Sequence, residues 1–262
     1  MATHPQFGPP MTPAQYATEW ITSAGNFAKS GEYAWMAAQL GSVTSVLEIG
    51  CGSGESTAAL LTVCKSLTAI DNNDDLLEAT EKRLVAAGRS VHRPSAADFP
   101  LQPSESAVRL VNANILDASA ANMGADGTLD AIVVWLIGAS PFVIAPALEK
   151  DITALERPDM AAYRLLVQQR ALELGRRWLR PDGVVHLVDR SIVADWQRKD
   201  DARIDTAQQF QTMGADAYAV TKADVFLRRL THLGGSSIQS IESARTFDGG
   251  VQVLSSVRMR KL

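Results

Sequence analysis

A short apolar run, Val46–Ile49, breaks into glycines at alternate positions, Gly50, Gly52 and Gly54, before a helical pattern begins at Ser56. Glycine is needed where a backbone turns sharply and lets a ligand approach it closely. A strand that turns this tightly into a helix commits the chain to parallel-sheet α/β architecture. The dinucleotide fingerprint G-x-G-x-x-G is similar, but its third glycine would stand at position 55, where this chain has Glu55. A carboxylate at that helix start would repel a pyrophosphate seated on the helix N-terminus. Glu48, two residues before the first glycine, is a second acid at the same turn. Both favour a ligand whose charge near the turn is positive or neutral.

The rest of the chain continues the alternation. Thr12-Pro13 is a helix start, with Tyr16, Trp20 and Ser23 at helical spacing, and a second short helix spans 32–40. Strands are expected over 43–49, 66–70, 108–112, 131–135, 184–188, 237–245 and 252–259. Helices are expected over 56–64, 75–87, 161–179 and 222–233. Strands separated by helices of this length need crossover connections, hence a mostly parallel sheet with helices on both faces. The last two strands follow one another directly, which suggests a hairpin with an antiparallel strand at the sheet edge. The Pro/Ser-rich passage 92–106 reads as a solvated loop.

Asp71 ends the second strand, 23 residues after Glu48, beside the glycine turn. A carboxylate there can accept both hydroxyls of a ribose in charge-assisted hydrogen bonds. Asn114 ends the third strand, at the same sheet edge, where its amide or the neighbouring backbone can read an adenine edge.

Strand, E-x-G-x-G-x-G, helix, an acid ending the second strand, Asp130 opening the fourth (LDAIVVW) and a helix–LRPDG–strand passage at 179–183 resemble the class I S-adenosylmethionine-dependent methyltransferases. The resemblance covers roughly residues 40–190 and the closing strands. It implies a Rossmann-like, seven-stranded, mostly parallel sheet with an antiparallel last strand. The cofactor implied is S-adenosyl-L-methionine, giving S-adenosyl-L-homocysteine. Its methionine part would pass Glu48, Gly50, Cys51, Gly52 and Gly54, with Thr57 on the following helix. The ribose would meet Asp71, and the adenine would lie near Asn72, Asn114 and Ile115. Residues 1–40 are expected to form a flexible lead and lid helices, and 41–262 the cofactor-binding domain, with cap insertions near 139–162 and 195–221.

The pattern departs from two known subtypes. The fourth strand continues Trp135-Leu136-Ile137-Gly138 rather than N-P-P-Y, which argues against methylation of an adenine, cytosine or glutamine amide. Asp189-Arg190 follows the fifth strand where the magnesium-dependent catechol type has Asp-Asn, so no metal is expected. Trp135 either walls the acceptor or packs in the core. Asp189 is a candidate acceptor-orienting carboxylate or base. Tyr16 and Tyr33 either reach the cofactor or pack. His186, mid-strand in VVHLVD, reads as a core histidine, Cys51 as a small filler, and Arg170, Arg176, Arg177 and Arg180 as a solvated face.

With 46% hydrophobic and 21% charged residues and a net charge of −4, the chain is an ordinary globular one rather than a strongly basic nucleic-acid binder. Residues 131–148 carry no charge, but Gly138, Ser140, Pro141 and Pro146 interrupt them, so a buried strand, a turn and an apolar segment are expected rather than a membrane span. Two cysteines and no signal-like start suggest a cytoplasmic protein. The resulting expectation is a small-molecule methyltransferase acting on nitrogen or oxygen, as a monomer or homodimer, without nucleic acid or membrane partners. A nucleic-acid methyltransferase, an NAD(P)-dependent oxidoreductase and an inactive cofactor-binding module remain the alternatives.

Overall fold

The structure is a computed structural model of the 262-residue chain that describes residues 11–105, 107–230 and 250–262. The expected strand 237–245 and the glycine end of the expected helix 222–233 lie outside the described residues.

Strands β1 (Ser45–Ile49), β2 (Ser66–Asp71), β4 (Val108–Asn112) and β5 (Leu129–Trp135) are almost wholly buried, as parallel strands covered on both faces must be. With β3 (Val91–His92), β6 (Leu179–Val193), β7 (Tyr218–Ala219), β8 (Val225–Arg229) and β9 (Val251–Lys261) they form one sheet in the order β3-β4-β2-β1-β5-β6-β9-β7, β8 also pairing with β9. The pairs among β1–β6 are parallel and β9 is antiparallel to both β6 and β8. Among the described residues there are nine strands where seven were expected over the whole chain; β3 and β7, two residues each, and β8 were not foreseen.

One face of the sheet is covered by α1 (Pro13–Lys29), α2 (Glu32–Leu40), α3 (Glu55–Leu60) and α4 (Asp74–Ala86), which bury Phe27, Met36, Leu60 and Leu77 against Val46, Leu67 and Val133. The other carries α5 (Pro141–Ala147), α6 (Arg157–Trp178) and α7 (Lys199–Gly214), which bury Ile144, Val167, Trp178 and Ala207 against Leu47, Ile132 and Val185. Strand alternation sends odd and even residues of β1 to these two cores. The start of α1 has a full capping box, Thr12 and Gln15 each satisfying the other's backbone N–H.

Four expectations change. Residues 222–229 form a short 3-10 turn and then β8 rather than a helix. The Asp224 carboxylate accepts from Thr221 N–H and hydroxyl, closing one turn only, and pairing with β9 then takes the backbone of Val225–Arg229. The antiparallel β9 is not an edge strand, because β7 and β8 lie beyond it. The passage 92–106 is not simply solvated: Leu101 pairs with Gly124, and Leu101 packs on the α6-side core. Finally, 195–221 is not a roof, since its helix α7 packs on β7, β8 and β9 as a crossover cover.

Asp130 fastens the start of β1. Its Oδ2 accepts from Thr44 N and Ser45 N at 2.6 and 2.9 Å, and its Oδ1 pairs with Arg180 Nε at 2.5 Å. Removing the carboxylate strands two backbone donors, so Asp130→Ala is expected to cost about 2–4 kcal/mol in urea unfolding. Asp130→Asn keeps an acceptor and should recover part of that loss. Equal costs below about 1 kcal/mol for both would show that the anchor carries little.

Candidate active site

The glycine turn is built from backbone that other residues cannot adopt cheaply. Gly50 and Gly52 have φ of +77° and +54°, and a Cβ on either would lie 2.4 Å from Ile137 Cδ1 or 2.3 Å from Trp20 Nε1. The turn is pinned from β2: Gly50 N and Cys51 N both donate to Ile70 O at 2.8 and 3.0 Å. Asp71 then bridges two loops, its Oδ2 accepting from Gly52 N at 2.9 Å and its Oδ1 from Asn73 N at 3.0 Å. From α4, Thr80 Oγ1 donates to Gly52 O and Arg83 Nε to Ser53 O.

A cleft opens above this turn in two lobes that share Gly50, Asp71, Asn72, Ile137 and Gly138. One lobe lies under α1, walled by Tyr16, Trp20 and Ser140. The other is walled by Asn114, Ile115, Tyr163 and Val167. Tyr16 stacks on Trp20 with ring centroids 6.2 Å apart. β5 is followed by Leu136 at φ +53°, a left-handed residue that throws Ile137–Ser140 across the mouth.

Asp71 is the one charged side chain among the described lining residues of either lobe. Burial pushes its carboxyl up to about 6, against the N–H groups of Gly52, Asn73 and Asn72, which favour the ion. Glu48 lies behind the turn, 2% exposed, with Oε2 accepting from Thr57 Oγ1 at 2.7 Å and Oε1 unpartnered. Burial pushes it up to about 7, opposed by the Ser56 and Thr57 hydroxyls and reinforced by Asp71. The acid at position 55 is neutralised away from the cleft by Arg83, 2.6 Å distant. Burial, then Asp71 and Tyr163, holds the Tyr16 phenol well above its ordinary value, so it stays a neutral donor.

Of the residues picked from sequence, Gly50, Gly52, Asp71, Asn72, Asn114, Ile115 and Tyr16 line the cleft. Asn114 spends its Oδ1 on Leu116 N, leaving only its amide nitrogen for a ligand. Glu48, Cys51, Gly54 and Thr57 are not among the lining residues; they form the layer that supports the turn, Gly54 backing onto Thr80. Tyr33 is buried in the α1–α2 core beside Phe27. Trp135 packs inside, its Nε1 donating to His186 Nδ1 at 3.1 Å, while His186 Nε2 meets Ser256 Oγ at 2.7 Å; this fixes a neutral Nε2–H tautomer and makes His186 the core histidine expected. Asp189 sits outside the lining, paired with Arg164 at 3.3 Å. Sequence reasoning missed Trp20 and the Ile137–Ser140 passage; the glycine just past β5 was the available signal, since Gly138 is where the Tyr16 hydroxyl comes 2.8 Å from a notional Cβ.

A methyl at Gly52 must displace the Trp20 indole. Gly52→Ala is therefore expected to lower stability by about 1–3 kcal/mol. In a double-mutant cycle, Trp20→Ala should relieve part of that loss, with a coupling of about 1 kcal/mol. Strict additivity in urea unfolding would show that α1 does not rest on the turn.

The comparisons with known proteins agree with this geometry. Residues 47–134 match a family model described as a methyltransferase domain. None of the curated proteins matches the chain by sequence. Among solved structures, the chain is similar to N-methyltransferase NodS from Bradyrhizobium japonicum WM9 in complex with S-adenosyl-L-homocysteine, at 15% identity and a TM-score of 0.51, covering 96% of this chain and 99% of that one. It is also similar to geranyl diphosphate C-methyltransferase from Streptomyces coelicolor A3(2), at 11% identity and a TM-score of 0.51, covering 89% and 76%. A tRNA (m1A58) methyltransferase from Aquifex aeolicus matches at 13% identity and a TM-score of 0.44, covering 88% and 68%. With its glycine turn bridged to an acid ending β2, the stretch 47–134 matches a methyltransferase domain, and it is set in a sheet whose β9 runs antiparallel between β6 and β8, a fold the chain shares with these two methyltransferases.

Proposed function

We propose that the protein methylates a nitrogen or oxygen of a small-molecule acceptor, with S-adenosylmethionine as donor. The observation that carries the ligand assignment is the charge of the cleft: its only charged lining side chain among the described residues is the acid Asp71. That suits a cationic sulfonium and offers nothing to neutralise a pyrophosphate. A buried, unpartnered hydroxyl, Ser140 Oγ, also lines the cleft and awaits a polar partner. The residues present therefore fit the cofactor.

In this reading Asp71 accepts the ribose hydroxyls, Gly50 and Gly52 admit the methionine portion to bare backbone, and Asn72, Asn114 and Ile115 flank the adenine. Glu48 and Thr57 hold the turn from behind. The cofactor supplies an activated methyl group on a positive sulfur. The protein's task is then alignment and exclusion of water. Tyr16 and Trp20 on α1, with Ile137–Ser140 opposite, narrow the mouth and do both. Of the lead and lid helices expected over 1–40, residues 1–10 lie outside the described residues and the lid reading rests on α1; a narrow mouth favours an acceptor smaller than a folded nucleic acid.

The surface charge supports the same class of acceptor. Arg170, Arg176, Arg177 and Arg180 are paired with Glu173, Asp216, Asp126 and Asp130 respectively, so this arginine cluster offers no free cationic stripe for phosphates. Asp189 was expected just past its strand but lies inside β6, which runs on to Val193; it remains the candidate acceptor-orienting carboxylate, held by Arg164.

Calorimetric titration is expected to give micromolar binding of S-adenosylmethionine and its demethylated product, and none of NADH or NADPH. Asp71→Asn should weaken the first pair by roughly 10- to 100-fold. Binding of a nicotinamide cofactor instead would overturn the assignment.

The pH dependence has two opposed arms. Below about 6 the Asp71 carboxyl is protonated, so cofactor affinity should fall between pH 7 and pH 5. For stability the sign reverses. Asp71 and Glu48 titrate higher in the folded protein, about 6 and about 7, than in the unfolded chain, so their contribution is fully present below pH ~4 and is lost as pH rises through 6–7. The cofactor-free protein should thus lose this contribution over the range in which it gains cofactor affinity.

A further inference from the structure

A groove of about 240 Å³ lies between α2, the start of α7 and β8, and shares no lining residue with either lobe of the cofactor cleft. One water needs only about 10–15 Å³, so the groove has room for a ligand of ring size. Three aromatic rings line it, Trp35, Trp196 and Phe226, together with Lys199 and Arg203, and no acid does. All three rings are half-buried rather than packed away in a core.

A cation stands over each ring. Arg228 lies 5.8 Å from the Trp35 centroid and Arg258 5.0 Å from that of Phe226, and both are balanced by acids, Glu32 and Asp224. Trp196 is different. Lys199 Nζ and Arg229 Cζ lie 5.2 and 5.7 Å from its centroid, and neither has an ion-pair partner among the described residues. Lys199 is also the first residue of α7, where the helix dipole opposes a cation. The two acids of that first turn are already taken, Asp200 by Arg203 and Lys222, Asp201 by Arg198. Arg203 spends its other nitrogens on Val225 O and Lys222 O.

Two like charges thus converge on one half-buried indole with no counter-charge. An aromatic face attracts a cation but does not neutralise a pair of them. An anion between Lys199 and Arg229 removes their repulsion, and a flat body attached to it gains contact with the neighbouring rings.

We propose that this groove is a ligand site distinct from the cofactor cleft, taking a small aromatic acid, a planar ring that bears a carboxylate. The ring lies among Trp35, Trp196 and Phe226, and the carboxylate meets Lys199 and Arg229. The assignment depends neither on the cofactor nor on which acceptor is methylated.

Indoleacetate is the probe, with indoleacetamide, tryptamine and hexanoate as controls for the charge, its sign and the ring. Calorimetry and ligand-observed NMR on the whole protein are expected to give indoleacetate a dissociation constant on the order of 0.1–1 mM. The amide and hexanoate should bind about tenfold more weakly or worse, and tryptamine not at all. Saturating S-adenosylhomocysteine should leave the affinity unchanged, since the two sites share no residue. Lys199→Glu and Trp196→Ala should each weaken indoleacetate by about tenfold, and Arg229→Gln by several-fold. The exposed Lys199 and Arg229 positions keep the test open should Trp196→Ala fold poorly, because neither charge change removes core packing. Four results would each overturn the proposal: no binding of indoleacetate, tryptamine binding as tightly, displacement by S-adenosylhomocysteine, or undiminished binding in Lys199→Glu.

Discussion

The carboxylate of Asp71 holds together the part of the molecule on which function depends. One oxygen takes the N–H of Gly52 and the other the N–H of Asn73, so the turn after β1 and the turn after β2 are locked to the same side chain. Asn73 in turn caps α4, accepting from Asp75 N and Leu76 N, and its amide donates to Pro13 O at the start of α1. The glycine turn, the helix behind it and the start of α1 therefore take their positions from one acid at a strand end. Two charge-assisted backbone bonds also keep that acid ionisable in a site where burial opposes its charge.

The same site spends stability on chemistry. Glu48 and Asp71 are both carboxylates whose burial raises them toward neutrality. A core built for stability alone would place apolar groups there. Their retention fits the proposed function, in which the missing counter-charge arrives with a positively charged cofactor and an electrostatic cost of the free protein becomes affinity. The basic residues nearby are kept out of the way: Arg83 is spent on Glu55 and Ser53 O behind the turn. Position 55, which in a dinucleotide fold would be a glycine under a pyrophosphate, is here a salt-bridged helix start.

Much of this was legible from residue order. The 32–40 helix and the 108–112 strand appear with their expected bounds, and β1, β2, β5 and α4 differ by two residues or fewer at each end, because their apolar patterns and caps are local signals. The 222–229 segment was not, since TKADVFLRRL satisfies a helical and a strand pattern alike and only the partner β9 decides between them. The fate of 92–106 was equally hidden. Proline and serine mark it as irregular, yet Leu101 and Pro103 fold onto the sheet where no long helix covers the space between β4 and β5.

Side-chain direction marks the boundary between the two kinds of knowledge. Sequence alone determined the strand–turn–helix unit, the acid 23 residues beyond Glu48, and thereby the resemblance to a methyltransferase domain, because glycine spacing and strand ends depend on bonds between near neighbours in the chain. Tertiary structure decided which of those residues face the cleft. It turned Glu48 and Thr57 toward each other behind the turn, bound Trp135 to His186 in the core, and brought Trp20 from 32 positions away onto Gly52. Each of those outcomes depends on a contact between distant segments, and no local pattern carries the information for a contact that exists only once both segments have packed.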